Sequence, residues 1–153
     1  MFSKSFGAPT MPLNGSTSLS FTINNVTGIP TSGINFTDPL PAGLVVATPN
    51  GLTGLCGLGS TVTAVQGSGS VALAGGNLPI GGSCNFSVNV TATSMGVKNN
   101  ITSNLNSAGP SGPQAIASIT VLAALASAAS IPTLSEWGLV LLVLAMAASA
   151  LNA

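Results

Sequence analysis

Ser18-Leu19-Ser20-Phe21-Thr22-Ile23-Asn24 alternates apolar and polar side chains at every step, and Asn85-Phe86-Ser87-Val88-Asn89-Val90-Thr91 repeats the pattern. Successive side chains of a strand point to opposite faces, so this period of two predicts half-buried strands with one face on a core and the other in water. Shorter versions are Ile34 with Phe36, Val62 with Ala64, Val71 with Leu73, Ile101 with Leu105, and Ala117-Ile119-Val121; Val45-Val46 adds a further short strand. Turn signals separate them: Asn14-Gly15, Pro39-Leu40-Pro41-Ala42-Gly43, Pro49-Asn50-Gly51, Gly67-Ser68-Gly69, Gly75-Gly76-Asn77, Gly81-Gly82 and Pro110-Ser111-Gly112-Pro113. The spacing predicts an all-β, immunoglobulin-like antiparallel β-sandwich of about seven to nine short strands. No 10- to 15-residue helical pattern lies between the strands, which argues against an α/β fold.

Three zones follow from composition. Residues 1–122 form the sandwich, residues 123–130 (Ala-Ala-Leu-Ala-Ser-Ala-Ala-Ser) a small-residue linker, and residues 131–153 a tail ending in an apolar run expected to form a C-terminal hydrophobic helix. Of 153 residues, 67 are Gly, Ser, Thr or Asn, and only 3% are charged, against about 25% in an ordinary soluble domain. The charged side chains are Lys4, Lys98, Asp38 and Glu136, and the net charge is zero.

These numbers exclude whole classes of function. There is no His, hence no Ser-His-Asp or Cys-His catalysis and no imidazole metal site. Two lysines do not neutralise a run of phosphates, so no nucleic-acid partner is expected. Two carboxylates 98 positions apart make neither a glycosidase pair nor a calcium cage. The chain reads as a binding or structural module without a cofactor, not an enzyme. A surface of hydroxyls and amides solvates itself but does not repel its copies, because the usual charge on strand edges is nearly absent.

Cys56 and Cys84 are the only cysteines, 28 positions apart. A structural disulfide is the favoured reading, and it implies an oxidising compartment; two reduced thiols are the alternative. Asp38, the one acid of residues 1–122, precedes Pro39. We expect it to cap that turn through nearby backbone amides, in preference to a cation or sugar contact. Six Asn-x-Ser/Thr sequons, at Asn14, Asn25, Asn35, Asn85, Asn89 and Asn100, are read as products of composition rather than as glycan sites.

Two stretches carry family resemblances. Ser3-Lys4-Ser5-Phe6-Gly7, Leu13 to Asn25, the run FTDPLPAGLVVATPNGL from Phe36 and the two cysteines resemble the "conserved repeat" domain of unknown function. That domain recurs in tandem on bacterial surface proteins, and the resemblance implies an immunoglobulin-like sandwich with no catalytic residues. Ile131-Pro132-Thr133-Leu134-Ser135-Glu136-Trp137-Gly138 resembles the IPTLxxWG motif of the IPTL-CTERM sorting signal. The implied tail is motif, membrane helix and basic cluster, read by an exosortase-class sorting enzyme. Ile131, Pro132, Thr133, Leu134, Trp137 and Gly138 would then be recognition positions.

Residues 137–151 carry no charge, and Trp137 suits a headgroup interface. Fifteen helical residues reach about 22 Å, short of a ~30 Å hydrocarbon core, and no Arg/Lys cluster follows them. The opening residues lack the apolar core of a secretory signal, so residue 1 is expected to be an internal start with further repeats upstream. The expected role is that of a structural or adhesive module of an exported bacterial surface protein. It would reach the cell envelope, at its outer surface or extracellularly, by way of the inner membrane, and its partners would be that membrane, the sorting enzyme and like repeats or itself. A self-associating filament subunit is the rival. A carbohydrate-binding module is the third reading, weakened by one Trp and no Tyr.

Overall fold

In the computed structural model, residues 1–124 are described. The expected linker beyond residue 124, the C-terminal helix and the sorting-motif residues Ile131, Pro132, Thr133, Leu134, Trp137 and Gly138 lie outside them. Among the described residues no helix is long and apolar enough to cross a membrane.

Eleven strands follow one another: β1 (Phe2–Phe6), β2 (Thr10–Pro12), β3 (Ser16–Asn24), β4 (Thr31–Pro39), β5 (Leu44–Val46), β6 (Thr53–Leu55), β7 (Thr61–Thr63), β8 (Ser70–Leu78), β9 (Ser83–Ala92), β10 (Gly96–Ile101) and β11 (Ile116–Leu122). One layer has the order β1-β3-β9-β5, with β6 also on β9. The facing layer consists of β4-β8-β7 and β10-β11-β2. The two parts of that layer meet where Asn35 and Asn106 exchange backbone hydrogen bonds and Ser103 N donates to Thr37 O.

The two alternating stretches form the centre. β3 and β9 pair antiparallel over nine positions, from Ser16↔Thr91 to Asn24↔Ser83, with Phe21 opposite Phe86. Leu19, Phe21, Ile23, Phe86, Val88 and Val90 all point inward and are buried. Across the layers, the Phe36 ring of β4 lies 4.6 Å from that of Phe2 and 5.3 Å from that of Phe21. Phe21 and Phe86 stack at 4.9 Å. This aromatic knot packs the two layers together at the centre of the core.

Three features differ from the expectation. The count is eleven because β1, whose inward places hold Phe2 and Lys4, and the three-residue β2 and β6 show no apolar alternation. β2 pairs parallel with β11: after β1 the chain turns through Gly7-Ala8-Pro9, crosses to the facing layer and lies along its edge. Ile101 and Leu105 do not share a strand face. Ile101 ends β10 and is exposed, whereas Leu105 is buried and forms only an isolated bridge, with Gly112. The Asn14-Gly15 turn forms as expected. Asn14 adopts φ 64°, a conformation asparagine tolerates, and Gly15 N donates to Pro12 O at 2.9 Å.

Candidate functional site

The polar centre of the molecule is assembled from three strands. β1 reads Phe-Ser-Lys-Ser-Phe, and its inward positions are Phe2 and Lys4. On β4 the inward period Ile34, Phe36, Asp38 carries the carboxylate into the core. On β10 the inward residues are Lys98 and Asn100, while Val97 and Ile101 face out. Lys4 Nζ donates to Asp38 Oδ1 at 2.8 Å, and both side chains are fully withdrawn from solvent. Asn100 Nδ2 donates to the other carboxylate oxygen, Oδ2, at 2.8 Å. One carboxylate therefore holds an amine and a carboxamide side by side. Asn100 Oδ1 is buried and has no hydrogen-bond partner.

Burial pushes the Asp38 carboxyl above its ordinary range. The Lys4 hydrogen bond and charge, and the Asn100 amide, oppose that rise. Burial likewise pushes the Lys4 amine down, against the hydrogen bond and charge of Asp38. The physical cause is common to both: taking an ion out of water costs several kcal/mol, which a single partner does not fully return.

The expectation that Asp38 caps its turn is thus corrected. Its partners are two side chains from other strands, not neighbouring backbone amides. Composition conceals this, because it counts Lys4 only as one of four charges and Asn100 only as a sequon. The signal that could have found them is positional, since Lys4 and Asn100 each occupy an inward place in a period-two pattern. Asn25 and Asn100 are buried among the sequon residues, so neither is open to glycan addition in the folded chain. Asn25 is spent on structure, its amide donating to Ile29 O at 2.7 Å and Pro79 O at 2.9 Å.

Lys98 is also buried, its Nζ donating to Ser94 Oγ at 2.7 Å and Ala42 O at 3.0 Å. Every charged side chain among the described residues is therefore inside, and the surface they present is made of hydroxyls, amides, glycine and scattered aliphatics. The aliphatics include an outward row on β10 and β11, where Val97, Ile101, Ile116 and Leu122 are all exposed and Ile101 pairs with Ile116. No aromatic ring among the described residues is exposed; four of the five Phe are buried and Phe6 is partly buried.

Cys56 and Cys84 form a disulfide, with Cα atoms 4.9 Å apart. It extends the short β6–β9 pairing by one rung, since Leu55 already faces Asn85. Cys56 also ties the layers, because its carbonyl accepts from Asn77 N of β8 at 2.8 Å. Among the described residues no cysteine is free and no group of His, Cys, Asp or Glu could hold a metal ion.

Comparison with known proteins agrees with this architecture. The structure resembles the seventh ScaB type I cohesin of Pseudobacteroides cellulosolvens, with a TM-score of 0.53 and 13% identity over 85% of this chain and 97% of that one. A non-cellulosomal cohesin from Archaeoglobus fulgidus gives 0.54 and 14% over 80% and 91%. The collagen-binding domain of a Staphylococcus aureus adhesin gives 0.51 and 14% over 78% and 95%. At such identities the likeness establishes the sandwich fold. No curated protein matches the sequence. Residues 129–153 match the IPTL-CTERM motif, which marks a secreted, envelope-associated surface protein. Residues 1–121 match the family described as Domain of unknown function (DUF7933), and the chain belongs to that family.

Proposed function

We propose that the chain is a non-enzymatic structural and adhesive module of an exported bacterial surface protein, delivered by its C-terminal tail to an exosortase-class sorting enzyme. The observation that carries this reading is the joining of the sorting motif at residues 129–153 to a sandwich whose described surface bears no charged side chain. Such a surface has nothing with which to bind a charged substrate, and it offers broad, neutral faces for protein contact. The similar solved folds include cohesin modules and an adhesin domain named for binding collagen, which supports a contact role. The test replaces Pro132 and Trp137 with Ala in secreted protein, in a host that carries the sorting enzyme. Pro132 keeps the segment before the apolar run extended, and Trp137 marks its interface depth. The variant is expected to stay uncleaved and membrane-bound with its sandwich intact. Identical processing of variant and wild type refutes the motif's role.

A second reading, a self-associating subunit of an extracellular filament, draws on the outward row Val97, Ile101, Ile116 and Leu122. Electron microscopy of the purified protein tests it: ordered fibres support the reading, and their absence at high concentration refutes it. A carbohydrate-binding role loses ground, because sugar platforms need exposed aromatic rings and the described surface has none.

A further inference from the structure

We propose that Lys4 and Asn100 become joined by an intramolecular isopeptide bond, formed on folding with Asp38 as the catalytic acid–base. The juxtaposition that points to it is the single buried carboxylate holding the Lys4 amine on one oxygen and the Asn100 carboxamide on the other, each at 2.8 Å. Both groups belong to rigid strands, and Asn100 faces Ala117 on the strand that runs beside β1. The amine and the carboxamide share one carboxylate in the same dry site, and fixed neighbours of this kind react as if at very high concentration. The unfolded chain, with these residues 96 positions apart, has no such advantage.

Lys4 first passes its extra proton to Asp38, giving a free amine and a carboxylic acid. The dry site favours this transfer, since burial lowers the amine's proton affinity and raises the carboxyl's. A turn of the Asn100 amide then lets the Asp38 O–H donate to Oδ1, the buried acceptor that otherwise lacks a partner. The polarised Cγ is attacked by the Lys4 nitrogen pair, and a C–N bond forms. Oδ1 carries the developing charge against the Asp38 proton. Asp38 moves a proton from the attacking nitrogen to Nδ2, the Cγ–Nδ2 bond breaks, and ammonia leaves. Amine plus carboxamide has become secondary amide plus ammonia, with no redox change and no cofactor.

The product also improves the core. An ion pair and an orphan acceptor are replaced by one neutral amide, whose N–H and C=O both find Asp38. The bond ties β1 to β10, so tension applied at the two ends of the folded unit passes through a covalent strut instead of peeling strands. This holds whichever surface role the module serves.

Intact-mass measurement of the full chain after disulfide reduction tests the inference. The wild type is expected to be lighter than its sequence by about 17 Da, one ammonia, and to yield a branched peptide joining the segments around Lys4 and Asn100. Lys98→Arg is expected to retain the loss, because the Lys98 amine hydrogen-bonds to Ala42 and Ser94 and not to Asp38 or Asn100. Lys4→Met and Asp38→Asn are expected to show the full mass. The wild-type measurement decides the matter even if those variants fail to fold. A wild type at full sequence mass overturns the proposal. A loss of about 18 Da with a Lys4–Asp38 branch also overturns it, by making Asp38 the acceptor and water the leaving group.

Discussion

Reducing the Cys56–Cys84 bond perturbs this fold at one definable place. The bond closes a segment of 28 positions. In the chain-entropy treatment, opening such a loop returns about 12 cal/mol/K to the unfolded chain, or about 3 to 4 kcal/mol at 25 °C. For a domain of this size that lowers Tm by about 12 to 16 °C. Reduction leaves both sulfurs in place, so no cavity is added to the effect, as it would be by Cys→Ala at these buried positions. The assay is circular dichroism melting of the protein with and without reductant, beside hydrogen exchange on the same samples. Exchange should rise at β6, whose three residues are all exposed and pair only with β9, while β3 and the centre of β9 stay protected. A Tm drop below about 4 °C with unchanged exchange at β6 refutes the reasoning. It would mean that the Asn77–Cys56 hydrogen bond and the Ala47–Asn89 and Asn89–Asn50 contacts hold that edge without the disulfide.

Other outcomes follow from the buried charges and the aromatic knot. Self-association of the protein should be nearly independent of salt, since the described surface offers no side-chain charge to screen; a steep salt dependence in sedimentation contradicts this. The Asp38 titration, taken apart from the opposing shift at Lys4, should stabilise the sandwich in acid. The folded carboxyl of Asp38 titrates above its unfolded value of 3.8, so the folded state takes up the proton first. Stability then rises as pH falls through that window, and is lost as pH climbs back through the folded value. Melting curves that fall steadily from neutrality to about pH 4 would show the opposite shift. Phe36→Ala, which removes the ring that contacts Phe2 and Phe21 across the layers, should cost about 3 to 5 kcal/mol in denaturant unfolding. A cost near 1 kcal/mol would place the core's weight elsewhere.

What the sequence disclosed tracks how local each signal is. β3 and β9 were legible because alternation alone specifies a half-buried strand, and both run nine or ten residues. The disulfide was legible because two cysteines allow one pairing. β1 and β10 were harder, since their inward places hold Lys4, Lys98 and Asn100, and a pattern reader treats such residues as outward. Asp38 failed for the same reason. Its position before Pro39 is a strong local turn signal, yet its register with Ile34 and Phe36 overrides it. The partners that make a buried charge tolerable come from strands 34 and 62 positions away, and no local pattern reports them. The parallel β2–β11 pair is likewise a product of the chain changing layers, which nothing in the three residues of β2 encodes.

The covalent features, one present and one proposed, fall at the two sides of a single layer. That layer runs β1-β3-β9-β5, with β6 beside β5 on the same flank of β9. Its open edges are therefore β1 on one side and the β5–β6 line on the other. Open edges are where a second chain adds a strand, and proteins usually blunt them with charge. Here charge is withdrawn to the interior, so the edges need another safeguard. Cys56–Cys84 fastens the β6 side to β9, and a Lys4–Asn100 bond would fasten β1 to the facing layer. Contact between copies is then directed away from edge addition and toward the faces, where Val97, Ile101 and Ile116 stand among hydroxyls and amides. A surface without charge thus remains compatible with a stable, discrete module where covalent ties keep the edge strands from fraying away from the sandwich.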